Sequence, residues 1–339
     1  MKEVTVLGID LAKAVFQIHG NDSRGKTLFN RKISRSKLVE FVANTPPCII
    51  GMEACGGANH WAREFEKLGH KVRLMAPQFV KPFVKSNKND KADAEAIAEA
   101  VMRPNMRFVS VKRIEQQNIQ AIHRVRQGRV KARTALINEC HGLLLEYGVV
   151  LKRASKAFFQ DLAELVSPES KTLTADMKEL VAGMIEELHQ LDVYIAKADA
   201  KLRQIAHQNE DCRRIHEIPG IGVITATAII AAVPDPKTFK NGREFSAWLG
   251  LVPRQNSSGG RSVLLGISKR GDSYLRTLLV HGGRSVVRLA DQRSDRLSRW
   301  AAEKQRTRGT NRAIVAVANK NARIIWAVLA KKEEYRQAA

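Results

Sequence analysis

The sequence predicts a mixed α/β domain at the N-terminus, followed by a mainly helical remainder. In the first 110 residues, short apolar runs alternate with amphipathic stretches in the order βββαβαβα, which is typical of a mixed sheet flanked by helices. Beyond residue 113, apolar residues recur at helical spacing over long stretches. We therefore divide the chain into regions 1–112, 113–209 and 210–339.

The charge of the chain indicates a polyanionic partner. Among 339 residues, 57 are Lys or Arg and 34 are Asp or Glu, which gives a formal net charge of +23. This excess favours DNA, RNA or an anionic membrane as the partner. We find no window of about 18 apolar residues that would span a bilayer, and no signal peptide at the N-terminus. We therefore predict a cytoplasmic protein that binds nucleic acid and no membrane.

The four cysteines do not form a recognisable metal or disulfide pattern. Cys48, Cys55, Cys140 and Cys212 are widely spaced and lack a CxxC pair. We interpret them as reduced thiols and predict no zinc site.

Two apolar strands of the N-terminal region end on a carboxylate. Residues 4–9 precede Asp10, with a hairpin partner at 14–18, and residues 48–52 precede Glu53. A carboxylate at the end of a core strand needs a cation, a hydrogen-bond donor or a proton. Asp10 can thus be a metal ligand, a turn residue, or a ribose or phosphate ligand in a sugar-kinase-like fold. The other predicted elements here are a strand at 27–29, helices at 36–42 and 59–68, and a strand at 72–75.

A second pair of acids begins the helix predicted at 90–102. Asp90 and Asp93 are three residues apart and therefore share a helical face. Either they complement the helix dipole, or they join Asp10 and Glu53 around metal ions, as in RNase H-like nucleases. Hard divalent cations prefer oxygen ligands, and two of them about 4 Å apart can clamp a scissile phosphate. The four acids together predict Mg²⁺, with Mn²⁺ as the alternative. The basic neighbours Lys85, Lys88 and Lys91 would suit a nearby phosphate.

The middle region is predicted to be helical and to contain a heptad repeat. A basic helix is predicted at 113–150, and apolar residues then occur at 173, 177, 180, 184, 188, 191, 195, 198, 202 and 205. This pattern fits either a helix packed within its own chain or a coiled-coil arm that joins protomers.

The C-terminal region offers two sites for nucleic acid. Residues 215–233 fit a helix–hairpin–helix, in which Gly220 and Gly222 let backbone N–H groups approach a phosphate; a tight turn between core helices is the alternative. Residues 254–323 hold 16 Lys and Arg against 4 Asp and Glu. Within them, Ser258 lies in a Gly-rich loop among arginines, either as a nucleophile or as part of a phosphate-contacting loop. Closing helices are predicted at 273–289 and 310–331.

Several motifs resemble the DEDD transposases of insertion sequences. They are GID at 8–10, MEACGG at 52–57, NKNDKADAEAIAEA at 87–100, IPGIG at 218–222, and FSAWLGLVPRQNSSGGRSVLLGISKRGDSYLR at 245–276. In that family a RuvC-like N-terminal domain precedes a second transposase domain, and a non-coding bridge RNA guides recombination. The resemblance spans nearly the whole chain in the expected order.

The resemblance implies a role for each candidate residue. The four metal-binding acids fall on Asp10, Glu53, Asp90 and Asp93, and the nucleophile that forms a phosphoserine intermediate with DNA falls on Ser258, with Ser257 as the alternative. The family picture also implies a homo-oligomer, a dimer or tetramer, in a prokaryotic cell, associated with the nucleoid when active. The residues predicted to contact nucleic acid are Gly220, Gly222, Arg254, Gly259, Arg261, Lys269, Arg270 and Arg276.

Three other functions compete with this one. A protein-guided DNA invertase or RuvC-like nuclease would use the same acids without RNA. A basic nucleic-acid-binding scaffold would have structural acids and no Mg²⁺-dependent chemistry. A sugar-kinase-like ATPase is disfavoured by the charge of +23 and by the lack of a second Gly-rich phosphate loop.

Overall fold

The computed structural model describes residues 3–85, 89–152 and 155–336, and the chain divides into two compact units. The first unit comprises Met1–Ile114 and Val233–Thr238, and the second comprises Glu115–Ala232 and Phe239–Ala339. Most of the regions predicted at 113–209 and 210–339 therefore lies within the second unit, but Val233–Thr238 belongs to the first.

The first unit contains a six-stranded mixed sheet in the order β3-β2-β1-β4-β5-β6. Its strands are β1 (Val6–Asp10), β2 (Val15–Asn21), β3 (Thr27–Ser34), β4 (Ile49–Glu53), β5 (Lys71–Met75) and β6 (Phe108–Val109). β1, β4 and β5 run parallel, and the outer pairings are antiparallel. The central residues of β1 and β4 are buried, because helices cover both faces of a sheet of this kind.

Helices pack on both faces of the sheet in the first unit. They are α1 (Arg35–Ala43), α2 (Ala58–Lys67), α3 (Pro77–Val80) and α4 (Asp90–Val101). On one face, Phe16 meets Trp61 edge to face with ring centroids 5.3 Å apart, and Trp61 stacks on Phe65. On the other face, Ile97 and Val101 of α4 lie in a second apolar cluster. The predicted mixed α/β architecture is confirmed, with β3 longer than predicted.

The second unit is mostly helical, as predicted. Its elements are α5 (Ile114–Leu145), α6 (Ser155–Val166), α7 (Ala175–Gln208), α8 (Glu210–His216), α9 (Val223–Ala232), α10 (Gly242–Trp248), β7 (Pro253–Gln255), β8 (Leu264–Ile267), α11 (Ser273–Arg288), α12 (Arg296–Arg308) and α13 (Thr310–Lys331). Sequence analysis did not predict α6, α12 or the antiparallel hairpin of β7 and β8.

The heptad repeat of α7 packs against α5 of the same chain. The two helices run antiparallel, and the contacts that join them recur every seven residues along α5 and every seven or eight along α7: Arg126 with Asp199, Arg133 with Asp192, and Cys140 with Met184. The seam residues Leu188, Leu191 and Leu202 are buried. The repeat therefore serves packing within the chain, and a coiled-coil arm between protomers stays a prediction.

One helix of the described chain, α13, is long and apolar enough to cross a membrane by length and composition, so our prediction that no such window exists is wrong. Half of its most apolar 18-residue window, with a mean hydropathy of 1.4, is buried inside the protein. Ala313, Ile314 and Val317 pack in a cluster with residues of α11 and α12. Burial of this kind is typical of a helix in the core of a folded protein.

Candidate active site

Asp10 and Glu53 lie side by side at the carboxyl ends of two neighbouring parallel strands. Ile9 of β1 pairs with Met52 of β4, so the residues that follow occupy equivalent positions on strands about 4.8 Å apart. Both side chains are partly exposed. The two strand-end acids predicted from the sequence are thus brought together.

Helix α4 covers the sheet face on which these two acids lie. A Cβ added to Gly8 would stand 2.3 Å from the carbonyl oxygen of Ala94, and one added to Gly51 would stand 2.9 Å from Cβ of Val101. These glycines therefore let α4 approach the sheet closely. Asp10 and Glu53 follow two residues later on their strands, which places them on the same face.

We expect Gly8→Ala to lower the free energy of unfolding by about 1–3 kcal/mol, because a methyl group there overlaps the backbone of α4. The helix that carries Asp90 and Asp93 would then have to shift. Gly56→Ala is the matched control, since its Cβ would meet nothing within 4 Å. Urea denaturation followed by circular dichroism measures the difference. Equal stability of the two variants would contradict the close approach of α4.

Cys55, just beyond β4, lies near both strand-end acids. Its pKa is raised, chiefly by burial and then by the charges of Glu53 and Asp10. Both carboxylates therefore act on the same point just beyond β4. This is the electrostatic environment in which a cation would be stabilised.

Asp90 and Asp93 lie in the first turn of α4, where Asn89 caps the helix by accepting a hydrogen bond from Ala92 N at 2.8 Å. Asp90 is exposed and lines the same cavity as Gln17, the residue that pairs with Asp10 across the sheet. Within the described ranges, no three Asp, Glu, His or Cys side chains stand close enough to hold a metal ion. Asp90 and Asp93 therefore do not join Asp10 and Glu53 in the one compact cluster that the sequence predicted. The all-oxygen donor set nevertheless fits a hard divalent cation.

The lysines predicted to flank this site differ in their surroundings. Lys85 forms ion pairs with Glu95 at 3.3 Å and Glu99 at 3.1 Å, so its charge is already partly matched. Lys91 is exposed, and Lys88 lies outside the described residues. Lys91 is thus the stronger phosphate candidate of the described pair.

Ser258 lies at the exposed tip of the β7–β8 hairpin. Ser258 and Arg261 exchange two backbone hydrogen bonds of 3.3 and 3.0 Å, which closes a two-residue turn. The turn residues Gly259 and Gly260 have φ of +54° and +78°, as a type I′ turn requires. The region predicted as a Gly-rich loop is therefore an ordered hairpin, with Arg261 directly opposite the serine.

The two neighbouring serines differ in their hydrogen bonding. The Ser257 hydroxyl accepts a hydrogen bond from Gln255 Nε2 at 2.9 Å, whereas the Ser258 hydroxyl has no partner within the described part of the chain. Ser258 thus has the freer oxygen. Which of the two serines is the nucleophile stays a prediction.

The basic residues around the hairpin divide into exposed and anchored ones. Arg254, Arg261, Lys269 and Arg270 are exposed. Arg276, in contrast, donates to the carbonyl oxygen of Leu249 at 3.2 Å and so anchors α11. Its predicted contact with nucleic acid stays a prediction, as do the others.

The predicted helix–hairpin–helix consists of α8, a turn and α9. Gly220 has φ of +86°, and a Cβ there would lie 2.6 Å from the carbonyl oxygen of Gly282 in α11. Gly220 therefore serves close packing, as in the tight-turn alternative. Gly222 is exposed with open space at its Cβ position, so only it leaves room for a phosphate.

Sequence analysis missed the polar residues of β2 that border the acids. Gln17 and His19 are buried and alternate with the apolar Phe16 and Ile18. This alternation was a usable signal, because it marks one strand face as polar next to Asp10.

A mixed sheet with acids at adjacent strand ends, an acidic helix across it and a mostly helical second unit are consistent with an RNase H-like transposase. Comparisons with known proteins agree. Residues 7–149 match the transposase model DEDD_Tnp_IS110, and residues 212–299 match the model described as the transposase IS116/IS110/IS902 family. The first match includes the four acids, and the second includes Ser258.

Two curated relatives cover almost the whole chain. It is 48% identical to the transposase for insertion sequence element IS1111A of Coxiella burnetii over 99% of this chain and 92% of that protein. It is 42% identical to the transposase for insertion sequence element IS1328 of Yersinia enterocolitica over 97% of each. The chain therefore belongs to the IS110/IS1111 family of insertion-sequence transposases, enzymes that cut and rejoin DNA.

Proposed function

We propose that this transposase cuts DNA with a Mg²⁺-dependent acidic site and a serine nucleophile. The observation that carries the proposal is the pairing of Asp10 and Glu53 on adjacent strand ends, on the sheet face crossed by the helix that begins with Asp90 and Asp93. These four residues would hold the Mg²⁺. Bound Mg²⁺ supplies Lewis-acid stabilisation of charge on the scissile phosphate.

In this proposal Ser258 Oγ attacks the DNA phosphorus. A Ser–O–P bond forms while one strand P–O bond breaks, and the departing DNA oxygen takes up a proton. Rejoining reverses the step, with a DNA hydroxyl that displaces the serine. The exposed hydroxyl at the hairpin tip supports this role, and Arg261 opposite it can stabilise negative charge on the phosphorane.

The proposal also includes guidance by a bridge RNA and a homo-oligomer, a dimer or tetramer, in which the acids and the serine act together. The net charge of +23 supports binding of more than one nucleic acid. Base pairing would then choose the DNA sites, while the protein contacts backbone and shape.

The test is to purify the full chain without nuclease treatment and to sequence the nucleic acid that accompanies it. One discrete RNA species, which supports Mg²⁺-dependent recombination of DNA sites matching it, is the expected result. Heterogeneous RNA or none, with recombination intact, would favour a protein-guided invertase or nuclease. If no DNA is cut in Mg²⁺ or Mn²⁺ under any condition, the scaffold alternative would replace the proposal.

A further inference from the structure

The β7–β8 hairpin exposes a run of apolar side chains. Every residue from 253 to 266 is exposed, and within this stretch Val263, Leu264 and Leu265 are 38%, 66% and 46% accessible to solvent. Single exposed apolar residues are common on protein surfaces, but three in succession are disfavoured unless they serve a function. The run therefore indicates a surface that contacts a partner.

The hairpin has no third strand to support it within the described ranges. β7 and β8 form a two-stranded sheet, so backbone groups along both outer edges are not paired in a ladder. A hairpin of two strands is only marginally stable in water by itself. A partner that packs on this hairpin would cover its apolar residues and stabilise its strands.

The register of the hairpin assigns its side chains to two faces. Gln255 pairs with Leu264, and Ser258 pairs with Arg261, so the two rows between these pairs follow without a bulge. Opposite residues share a face, and successive rows alternate between faces. Leu264 therefore shares a face with Gln255 and Ser257, whereas Ser258 and Arg261 lie on the other face. The hydrogen bond of 2.9 Å from Gln255 Nε2 to Ser257 Oγ agrees with this assignment.

The charge of the hairpin identifies the chemistry of the partner. Residues 253–270 include four basic residues and no Asp or Glu, and all four are exposed: Arg254, Arg261, Lys269 and Arg270. This surface complements a polyanion, and the family to which the chain belongs cuts and rejoins DNA. The major groove of DNA, about 12 Å wide, admits a two-stranded β-ribbon. DNA therefore fits the hairpin in both charge and dimensions.

We propose that the β7–β8 hairpin enters the major groove of DNA, with Leu264 against the base edges and the arginines on the phosphates of the groove walls. Leu264 suits the 5-methyl group of thymine, and the neighbouring Gln255 amide can hydrogen-bond a base edge. Within rows 255–258 and 261–264, the Leu264 face has no charged side chain, whereas Arg261 lies on the other face; this difference places the Leu264 face on the bases. The inference goes beyond the proposed function, in which base pairing alone chooses the DNA sites, because the protein itself would distinguish bases.

The test measures binding of the full chain, freed of nucleic acid, to two short fluorescent DNA duplexes in EDTA. One duplex alternates adenine and thymine, and the other has uracil in place of thymine, which removes the methyl groups from the major groove. Wild type should bind the thymine duplex about threefold to fourfold more tightly, because burial of a methyl group stabilises the complex. Leu264→Ser should bind the thymine duplex about fivefold to tenfold more weakly than wild type and should not prefer thymine over uracil.

Leu180→Ser is the matched control, because Leu180 is 61% exposed on α7, outside the hairpin. It should keep the wild-type affinity and the preference for thymine. Arg254→Ala/Arg261→Ala tests the phosphate contacts separately. This double variant should lower the slope of log K against log salt by about 1.8, because two phosphate contacts are lost, and should still prefer thymine.

Two results would overturn the proposal. One is a wild type that binds the thymine and uracil duplexes equally well, and the other is a Leu264→Ser variant that keeps the preference for thymine. If Leu264→Ser instead changed only the sedimentation of the protein without DNA, the apolar run would be an interface between copies of the chain. Since the assay involves no metal, cleavage or RNA, failure here is distinguishable from failure of the proposed recombination.

Discussion

Asp10→Asn is expected to abolish DNA strand exchange while leaving RNA binding close to wild type. Asn keeps the shape of the side chain but removes the charge that would hold Mg²⁺ next to Glu53. Loss of residues that merely support metal ligands costs about 10–100-fold, so loss of a ligand should cost at least about 100-fold in rate. The RNA binding that we propose would depend on the basic surface, which this change does not touch. The measurement is recombination of plasmid-borne sites in Mg²⁺, paired with a gel-shift assay for RNA.

Glu64→Gln provides the control for Asp10→Asn. It removes one negative charge from the same unit, on α2, where Glu64 pairs with Lys67 at 2.8 Å on the helix surface. Such exposed pairs contribute little to stability. Recombination by this variant should match wild type. If Asp10→Asn recombined DNA equally well, the metal site would have no part in the mechanism.

The N-terminal fold was predictable because its local signals agree with each other. Apolar runs that end on Asp10 and Glu53 are strands in the structure, and the Ala-rich helix begins at Asp90. The parallel pairing that places the two acids side by side was not readable from either strand alone. It follows from the parallel direction of β1 and β4, because parallel neighbouring strands have their carboxyl ends at the same edge of the sheet.

The second unit shows where local signals are insufficient. The heptads of α7 predict an apolar seam that the structure shows except at Leu180, which is exposed while its neighbour Val181 is buried. The pattern does not specify whether α5 or another protomer covers the seam. Gly220 has the left-handed backbone that suits a phosphate-binding turn, yet its close neighbour is Gly282, distant in sequence. The strands of the serine hairpin are largely exposed, so they lack the alternation of apolar and polar residues that identifies a half-buried strand.

Ser258→Ala is expected to eliminate the covalent protein–DNA intermediate, with recombination lower by about 10³-fold or more, as for other nucleophile replacements. The change deletes one exposed oxygen that makes no hydrogen bond to the described residues, so the fold should be unaffected. Ser257→Ala is the matched control, because it removes the neighbouring hydroxyl, which Gln255 already engages.

Denaturing gels with end-labelled DNA measure the intermediate of this reaction directly. Wild type and Ser257→Ala should retain labelled DNA on the protein after denaturation, and Ser258→Ala should not. The reverse pattern would assign the nucleophile to Ser257. Covalent adducts from both single variants would exclude either serine as the sole nucleophile, and the hairpin would then be a phosphate-contacting element. The glycine turn between Ser258 and Arg261 fits both a nucleophile and a phosphate-contacting element. Only detection of a covalent bond between a serine oxygen and phosphorus distinguishes the two roles.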